Sequence, residues 1–369
     1  MSNTLRDLSA HLGLSASTVS RALSGRDLKR PSTRARAERI RAAAVEMGYA
    51  PNGVARSLKT SRRQVVGLIL PNIMNDYYAT AATLVQETLA AEGYRVLLSV
   101  TDDDPVVETA QLRVLQEERV AGIVRVPSVR ASRTRARHVP VGAAPATPTV
   151  ELVRQDIPPG ADAVLIDDID AGRQGTAHVI ALGHRRIGIL TGPQVLSTAH
   201  DRLIGYRRAL EEAGLPFDET LVDAAPYRRD AARAATTRML QHTRRPTAFI
   251  ATSNELVVGV LQALAACDVR VPDDLSVVGF GNPDWFALLS PALTTVALPI
   301  EEMAMAAVHL LLKRIRAVDA TETDDARAPV IARYQARLVV RGSTRALAHD
   351  SHDSHDSHDS VDVLTQDSP

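Results

Sequence analysis

Residues 4–23 read TLRDLSAHLGLSASTVSRAL. Leu5, Leu8 and Leu12 recur on one helical face before Gly13, and Val19, Ala22 and Leu23 on another after it. The pattern predicts helix, turn, helix. Thr4 is placed to cap the first helix and Ser15 the second, while Gly13 supplies the permissive backbone of a tight turn. Two helices this short need a partner to bury their apolar faces. Pro31 opens the next one, in which Ile40, Ala43, Ala44 and Met47 recur at helical spacing before Gly48 ends it.

The second helix displays Ser15, Ala16, Ser17, Thr18, Ser20 and Arg21. Small side chains let a helix approach base edges, hydroxyls bond bases or phosphates, and a guanidinium matches the two acceptors of guanine. These residues are therefore the candidate contacts to double-stranded DNA. The alternative is a small helical bundle whose exposed face is merely rich in Ser and Thr.

The chain continues as Tyr49-Ala50-Pro51-Asn52-Gly53-Val54-Ala55-Arg56-Ser57-Leu58. With its TVSRAL, GYAPN and NGVARSL motifs, the run from Leu5 to Leu58 resembles the headpiece of the LacI/GalR family of bacterial transcriptional repressors. The resemblance implies a hinge that folds into a short helix on operator DNA, pairs with its twin in a homodimer and wedges Leu58 into the minor groove, with Asn52 and Ala55 beside it. About seven residues are too few for a stable helix in water, so ordering on DNA is physically sensible, and an inserted apolar side chain unstacks a base step. An ordinary linker with an Asn-Gly turn is the competing reading.

At 369 residues the chain is long enough for two or three domains, and 45% apolar residues suffice for globular cores. The net charge of zero conceals an asymmetry. Residues 1–64 hold thirteen Lys/Arg against four Asp/Glu, leaving the remainder acidic by nine charges. A basic module joined to an acidic one suits a nucleic-acid binder attached to a sensor. The lone Cys267 excludes an intramolecular disulfide. Neither a signal peptide nor an apolar run of about twenty residues is visible, so a cytoplasmic protein with no membrane partner is expected.

Beyond the basic linker, short apolar runs alternate with helical segments. Val65–Leu70, Arg95–Val100, Ala121–Val126, Ala163–Asp167, Arg186–Gly192, Ala248–Thr252 and Leu275–Phe280 read as buried strands; Tyr77–Glu92, Ala171–Leu182, Arg202–Ala213, Arg228–Gln241 and Glu255–Ala266 read as helices. Such alternation predicts parallel sheets covered on both faces, and there is enough of it for two. The expected domains are residues 1–50 as helix-turn-helix headpiece, 51–63 as hinge and linker, 64–342 as sensor, and 343–369 as a disordered tail.

The sensor region also resembles the LacI/GalR family, through VVGLILPN, ALGHRRIGILTGP, RLIGYRRALEEAGL, PDDLSVVGFGN and SPALTTVALP. This implies the two-lobed, parallel-sheet fold of periplasmic sugar-binding proteins, with three crossings between lobes. They are expected near Leu165, Pro291 and Ala328, which assigns Leu293 to about Thr323 to the first lobe. Ligands of open parallel sheets lie beyond the carboxyl ends of the strands. Tyr77 and Tyr78 match the family's paired aromatic position, and Arg202 matches its effector-binding arginine. A guanidinium fork suits oxygen recognition, although helix packing for the tyrosines and a surface salt bridge for the arginine are the plain alternatives.

Two departures qualify the match. Ser253-Asn254 stands where relatives often have Asn-Asp, and Gly281-Asn282 where they often have Asp-Asp, so the usual acidic anchor for a sugar hydroxyl is missing. Asn282, Asp284 or Trp285, the only Trp, could replace it, with Trp285 equally able to pack under its loop, and Ser253 is a further candidate effector contact. Arg125 interrupts an apolar strand; it either meets an acid or faces an anionic ligand. The expected small-molecule effector is a sugar or sugar derivative, with an acidic sugar favoured by the missing Asp and by Arg125.

Arg130 to Val150, with four arginines and an Ala-Pro-rich stretch, reads as solvated helix and loop. The tail repeats Ser-His-Asp, and His352, His355 and His358 could bind zinc or nickel adventitiously. No resident metal or cofactor is expected. No catalytic constellation emerges, so an enzyme is not expected; a transporter's solute-binding protein is the runner-up reading, and it does not explain the basic headpiece.

Overall fold

The computed structural model describes residues 4–23, 31–49, 64–128, 147–155, 161–319 and 328–347. The hinge residues Asn52, Ala55 and Leu58, the arginines between 130 and 137 and the Ser-His-Asp repeat lie outside these. The chain divides into two compact units at Gln64.

The first unit contains α1 (Leu5–Leu12), α2 (Ala16–Leu23) and α3 (Pro31–Glu46). The Thr4 hydroxyl accepts from the Asp7 amide at 3.3 Å, and the Asp7 carboxylate accepts from the Thr4 amide at 2.8 Å, a reciprocal cap. Gly13 ends α1 at φ 60°, in the left-handed region, and Ser15 Oγ accepts from the Thr18 amide at 3.2 Å to start α2. Leu8, Val19, Ala37 and Ile40 are fully buried where the helices meet, with Ala43 and Ala44 packed against them.

The second unit holds two sheets of six strands. The first sheet is built from β1 (Val65–Leu70), β2 (Arg95–Val100), β3 (Gly122–Arg125), β4 (Thr149–Val153), β5 (Asp162–Ile166) and β11 (Ile331–Tyr334), in the order β11-β5-β4-β3-β1-β2, all parallel. The second is built from β6 (Ile187–Thr191), β7 (Val222–Ala224), β8 (Ala248–Ala251), β9 (Ser276–Phe280), β10 (Thr294–Ala297) and β12 (Arg337–Val339), in the order β12-β10-β9-β8-β6-β7, with β12 alone antiparallel. Helices α4 (Asp76–Ala91), α5 (Pro105–Glu117) and α11 (Ile300–Asp319) cover the first sheet; α6 (Asp168–Ala181), α7 (Ser197–Glu212), α8 (Arg229–Leu240) and α9 (Asn254–Ala266) cover the second. A short helix, α10 (Trp285–Leu288), precedes β10. Helices on both faces bury central strands such as β5 and β9 at every position, which is why they read as continuous apolar runs.

Four expectations are corrected. The segment from Leu293 divides: β10 pairs with β9 in the second sheet, and only α11 returns to the first lobe, so the second crossing lies at Leu298-Pro299. The third crossing is at Gln335-Ala336, between β11 and β12, because β11 continues the first sheet beside β5. Thr149–Val153 is a central strand, so the stretch read as irregular to Val150 ends in regular structure. Residues 343–347, assigned to the tail, are also built into the second lobe. The buried Ser343 hydroxyl accepts from the Thr294 amide at 2.8 Å and donates to Val277 O at 2.6 Å, and the Leu347 amide donates to Leu182 O at 2.9 Å.

Candidate functional site

On the first unit, Val19 and Ala22 face the core and leave Ser15, Ala16, Ser17 and Arg21 exposed, with Thr18 and Ser20 half-buried at the edge of the same helix. Ser15 Oγ lies 2.9 Å from Ser17 Oγ and 2.8 Å from Thr18 Oγ1, so the start of α2 presents a cluster of hydroxyls. Short polar groups on the exposed side of the second helix of such a pair are what a major groove admits.

On the second unit, the carboxyl ends of both sheets enclose a cleft. Tyr77 and Tyr78 line it from the first lobe, their rings edge to face with centroids 5.4 Å apart. They begin α4, whose cap is Asn75: its Oδ1 accepts from the Tyr77 amide and, across the cleft, from Asn254 Nδ2, both at 3.0 Å. Burial raises both phenols, Tyr78 to about 12 and Tyr77 well above its ordinary value.

Arg202 lines the cleft from the second lobe and is 5% exposed. Its Nε donates to Asp168 Oδ1 at 2.8 Å, its Nη1 to Thr252 O at 2.6 Å, and its Cζ lies 5.0 Å from the centre of the Phe280 ring. Burial pushes the Asp168 carboxyl up to about 6, against the pull of the guanidinium. The Arg202 backbone is seated by glycines: a Cβ on Gly172 would stand 2.3 Å from Arg202 O, and one on Gly205 2.0 Å from Ile169 O. The pair brings α6 and α7 into backbone contact.

A second guanidinium, Arg154, lines the cleft from the first lobe at 3% exposure. Its terminal nitrogens bond the Asp103 carboxylate, and Nη1 also donates to Pro127 O at 3.3 Å. Burial pulls its pKa down, and Tyr78 and Asp103 more than offset this. Asp102, Asp103 and Val153 have φ of 52°, 59° and 68°. Left-handed backbone in three non-glycine residues, one β-branched, is strain concentrated at one place. Arg154 Nε, Tyr77 Oη and Tyr227 Oη are buried there with no hydrogen-bond partner among the described residues.

Other predicted contacts stand elsewhere. Arg125 bonds Glu108 at 2.7 Å and Glu151 at 2.5 Å and does not line the cleft, so its assignment to the effector is corrected; the strand charge meets acids, as its cost requires. Asn282 is exposed and accepts from Arg341 Nη2 at 2.7 Å, outside the cleft, because Gly281 at φ 84° turns the chain away. Trp285 is not on the wall either. Its ring packs edge-on against Phe286 at 4.4 Å, and its Nε1 donates to Asp76 Oδ2 at 3.0 Å. Ser253 does line the cleft, with its hydroxyl accepting from the Leu256 amide at 3.2 Å as the cap of α9. Sequence reasoning missed Arg154, Asp103 and Tyr227; a charged residue ending the apolar run Thr149–Val153 was the available signal for the first.

A periplasmic binding protein-like domain matches residues 176–344. Over 304 residues the chain is 31% identical to the HTH-type transcriptional regulator DegA of Bacillus subtilis (strain 168), spanning 82% of this chain and 88% of that one. The chain belongs to the LacI family of transcriptional regulators. It is 30% identical over 317 residues to the ribose operon repressor of Escherichia coli (strain K12), spanning 85% of this chain and 93% of the relative. The lac repressor dimer, solved bound to operator and the anti-inducer ONPF, matches 94% of this chain and 100% of its own at TM-score 0.77 and 22% identity, a likeness of fold. These relatives are regulators of transcription. Among the described residues no helix is long and apolar enough to cross a membrane.

Proposed function

We propose that this chain is a repressor that binds a pseudo-palindromic operator as a homodimer and is controlled by a sugar or sugar derivative held between the sensor lobes. The observation that carries the effector reading is the convergence in one cleft of two buried guanidinium groups, Phe280 and three buried polar atoms that have no partner among the described residues. Such a mixture of aromatic wall and unfilled hydrogen-bonding capacity suits a polar ring. A neutral sugar now fits better than an acidic one. Arg154 is paired with Asp103 and Arg202 with Asp168, so neither brings a net positive charge, and Arg125 contributes none to the cleft.

Each protomer would place α2 in a major groove, with Arg21 reading a base and Leu58 wedging the minor groove at the centre of the site. The homodimer reading is supported by apolar surface on the outer face of the first lobe, where Leu97, Leu98 and Val100 of edge strand β2 and Val106 and Val114 of α5 are exposed. A ligand that favours one angle between the lobes would bias whether the two hinges can pair.

Gel-shift titration against palindromic operators, with and without neutral sugars, sugar acids and purines, tests the whole reading. Specific binding that one sugar alters is expected. Response to a purine alone would overturn the effector class, and equal affinity for all duplexes would overturn the operator reading. Arg21→Ala should relax preference at one base position per half-site by about 1–3 kcal/mol; uniform weakening would make it a phosphate contact.

A further inference from the structure

Arg154 and Tyr227 come from opposite lobes. Arg154 follows β4 and is held on the first lobe by Asp103 and by the Pro127 carbonyl, both reached by its terminal nitrogens. That leaves the Nε–H, buried and without a partner among the described residues. Tyr227 follows β7 on the second lobe, and its ring lies directly on the chain at Gly192, where a Cβ would stand 2.2 Å from Cζ and 2.6 Å from the hydroxyl oxygen. The phenol occupies the space that a side chain at position 192 would need, so the glycine lets it pack against the backbone at the end of β6. That hydroxyl is also buried without a partner among the described residues, and the phenol is near enough to influence the charge of Arg154.

An arginine N–H can only donate. A buried donor held in place by two anchors on its other nitrogens, lining the same cleft as a buried hydroxyl that also has no partner among the described residues, is an arrangement organised around an atom that accepts from both. We infer that Arg154 and Tyr227 together read a single acceptor oxygen of the effector, one from each lobe, and so determine specificity at that position of the ligand. The inference rests on the cleft being the effector site. It adds the chemistry of the recognised group: a hydroxyl, ring ether or carbonyl oxygen on a neutral molecule. A carboxylate or phosphate is disfavoured, since Asp103 already neutralises Arg154 and Asp102 lines the same wall. An oxygen bonded from both lobes also couples ligand binding to lobe closure, because neither lobe alone satisfies it.

The first arm of the test needs no ligand. In the ligand-free protein Tyr227→Phe removes a hydroxyl that has no partner among the described residues, so the melting temperature should stay or rise. A fall of several degrees would show that the hydroxyl is bonded within the fold and would overturn the inference. The second arm is calorimetry with D-ribose, D-glucose, D-galactose and their single-deoxy analogues, on wild type, Tyr227→Phe, Arg154→Lys and the double variant. Arg154→Lys keeps the charge beside Asp103 and loses the Nε–H. For a sugar that binds wild type, each single variant should weaken binding at least tenfold, the double variant little more than either, and one deoxy analogue should bind wild type as weakly as the sugar binds the variants. Additive losses, or full affinity in Arg154→Lys, would overturn the shared oxygen. Failure of every sugar on wild type would instead remove the sugar reading, with the thermal arm still deciding whether Tyr227 is held open for a ligand.

Discussion

The indole Nε1 of Trp285 donates to Asp76 Oδ2 over 3.0 Å, tying the second lobe to the first at the rim of the cleft. Trp285→Phe keeps the ring packing on Phe286 and removes the donor. A hydrogen bond of this kind contributes about 1 kcal/mol, so effector affinity should fall roughly fivefold, read by calorimetry. Because Trp285 is the only Trp in the chain, its emission reports this contact. Asp76→Ala should shift the emission to the red in the ligand-free protein, and an unchanged spectrum would mean the lobes are not joined there in solution.

By its resemblance to the family's effector-binding arginine, Arg202→Ala should abolish the effector's influence on operator affinity and leave effector-free DNA binding within about 1 kcal/mol. The structure adds a cost in stability. Arg202 and Asp168 are each about 5% exposed and bonded at 2.8 Å, and removing one partner of a buried pair costs about 3–5 kcal/mol. Urea denaturation should show Arg202→Ala losing stability on that scale, with Asp168→Asn/Arg202→Ala recovering part of the loss. A fully stable Arg202→Ala would show the pair to be solvated.

The headpiece was legible because its signals are local. Thr4, Asp7, Gly13 and Ser15 act on backbone groups within three or four residues, so caps and turn follow from adjacent letters. The central strands were legible for a related reason: burial on both faces leaves a continuous apolar run. Edge strands β7, β11 and β12 span three or four residues and carry residues such as Arg333 and Arg337, so no such run marks them. The site was legible only in part. Arg125 could not be separated from a ligand contact, since its partners Glu108 and Glu151 lie 17 residues before and 26 after it. The role of Arg154 depends on Asp103, 51 residues earlier, and on a phenol from the other lobe.

Asp168 gives the sensor a pH dependence of definite sign. Its carboxyl is raised from 3.8 to about 6 by burial. The folded chain therefore holds this proton more tightly than the unfolded one. The stability this confers is fully present below about pH 3.8 and is lost as pH rises through about 6. Asp168→Asn removes the dependence and keeps an oxygen for Arg202 Nε. Measured by urea denaturation, the variant's stability relative to wild type should rise between pH 4 and 7, by at most about 3 kcal/mol at 1.36 kcal/mol per unit. A flat difference across that window would mean that Arg202 keeps the carboxylate ionised throughout.

Gly205 carries the last expectation, because it controls where Arg202 stands. A Cβ at this position would lie 2.0 Å from Ile169 O, 2.7 Å from the Arg173 amide nitrogen and 3.0 Å from the Gly172 carbonyl carbon. All three are backbone atoms of α6, which no rotamer change can move aside. Gly205→Ala gains helix propensity of about 1 kcal/mol, so a surface glycine would become more stable. Here the overlap must push α6 and α7 apart, opening packing on both sides at a cost of about 2–3 kcal/mol or more. Arg202 sits three residues earlier on α7 and reaches Asp168 at the start of α6, so separating the helices also lengthens the ion pair. Thermal denaturation should show Gly205→Ala less stable than wild type, with effector binding weakened in the same variant. A stabilised variant would show that the two helices are not in backbone contact.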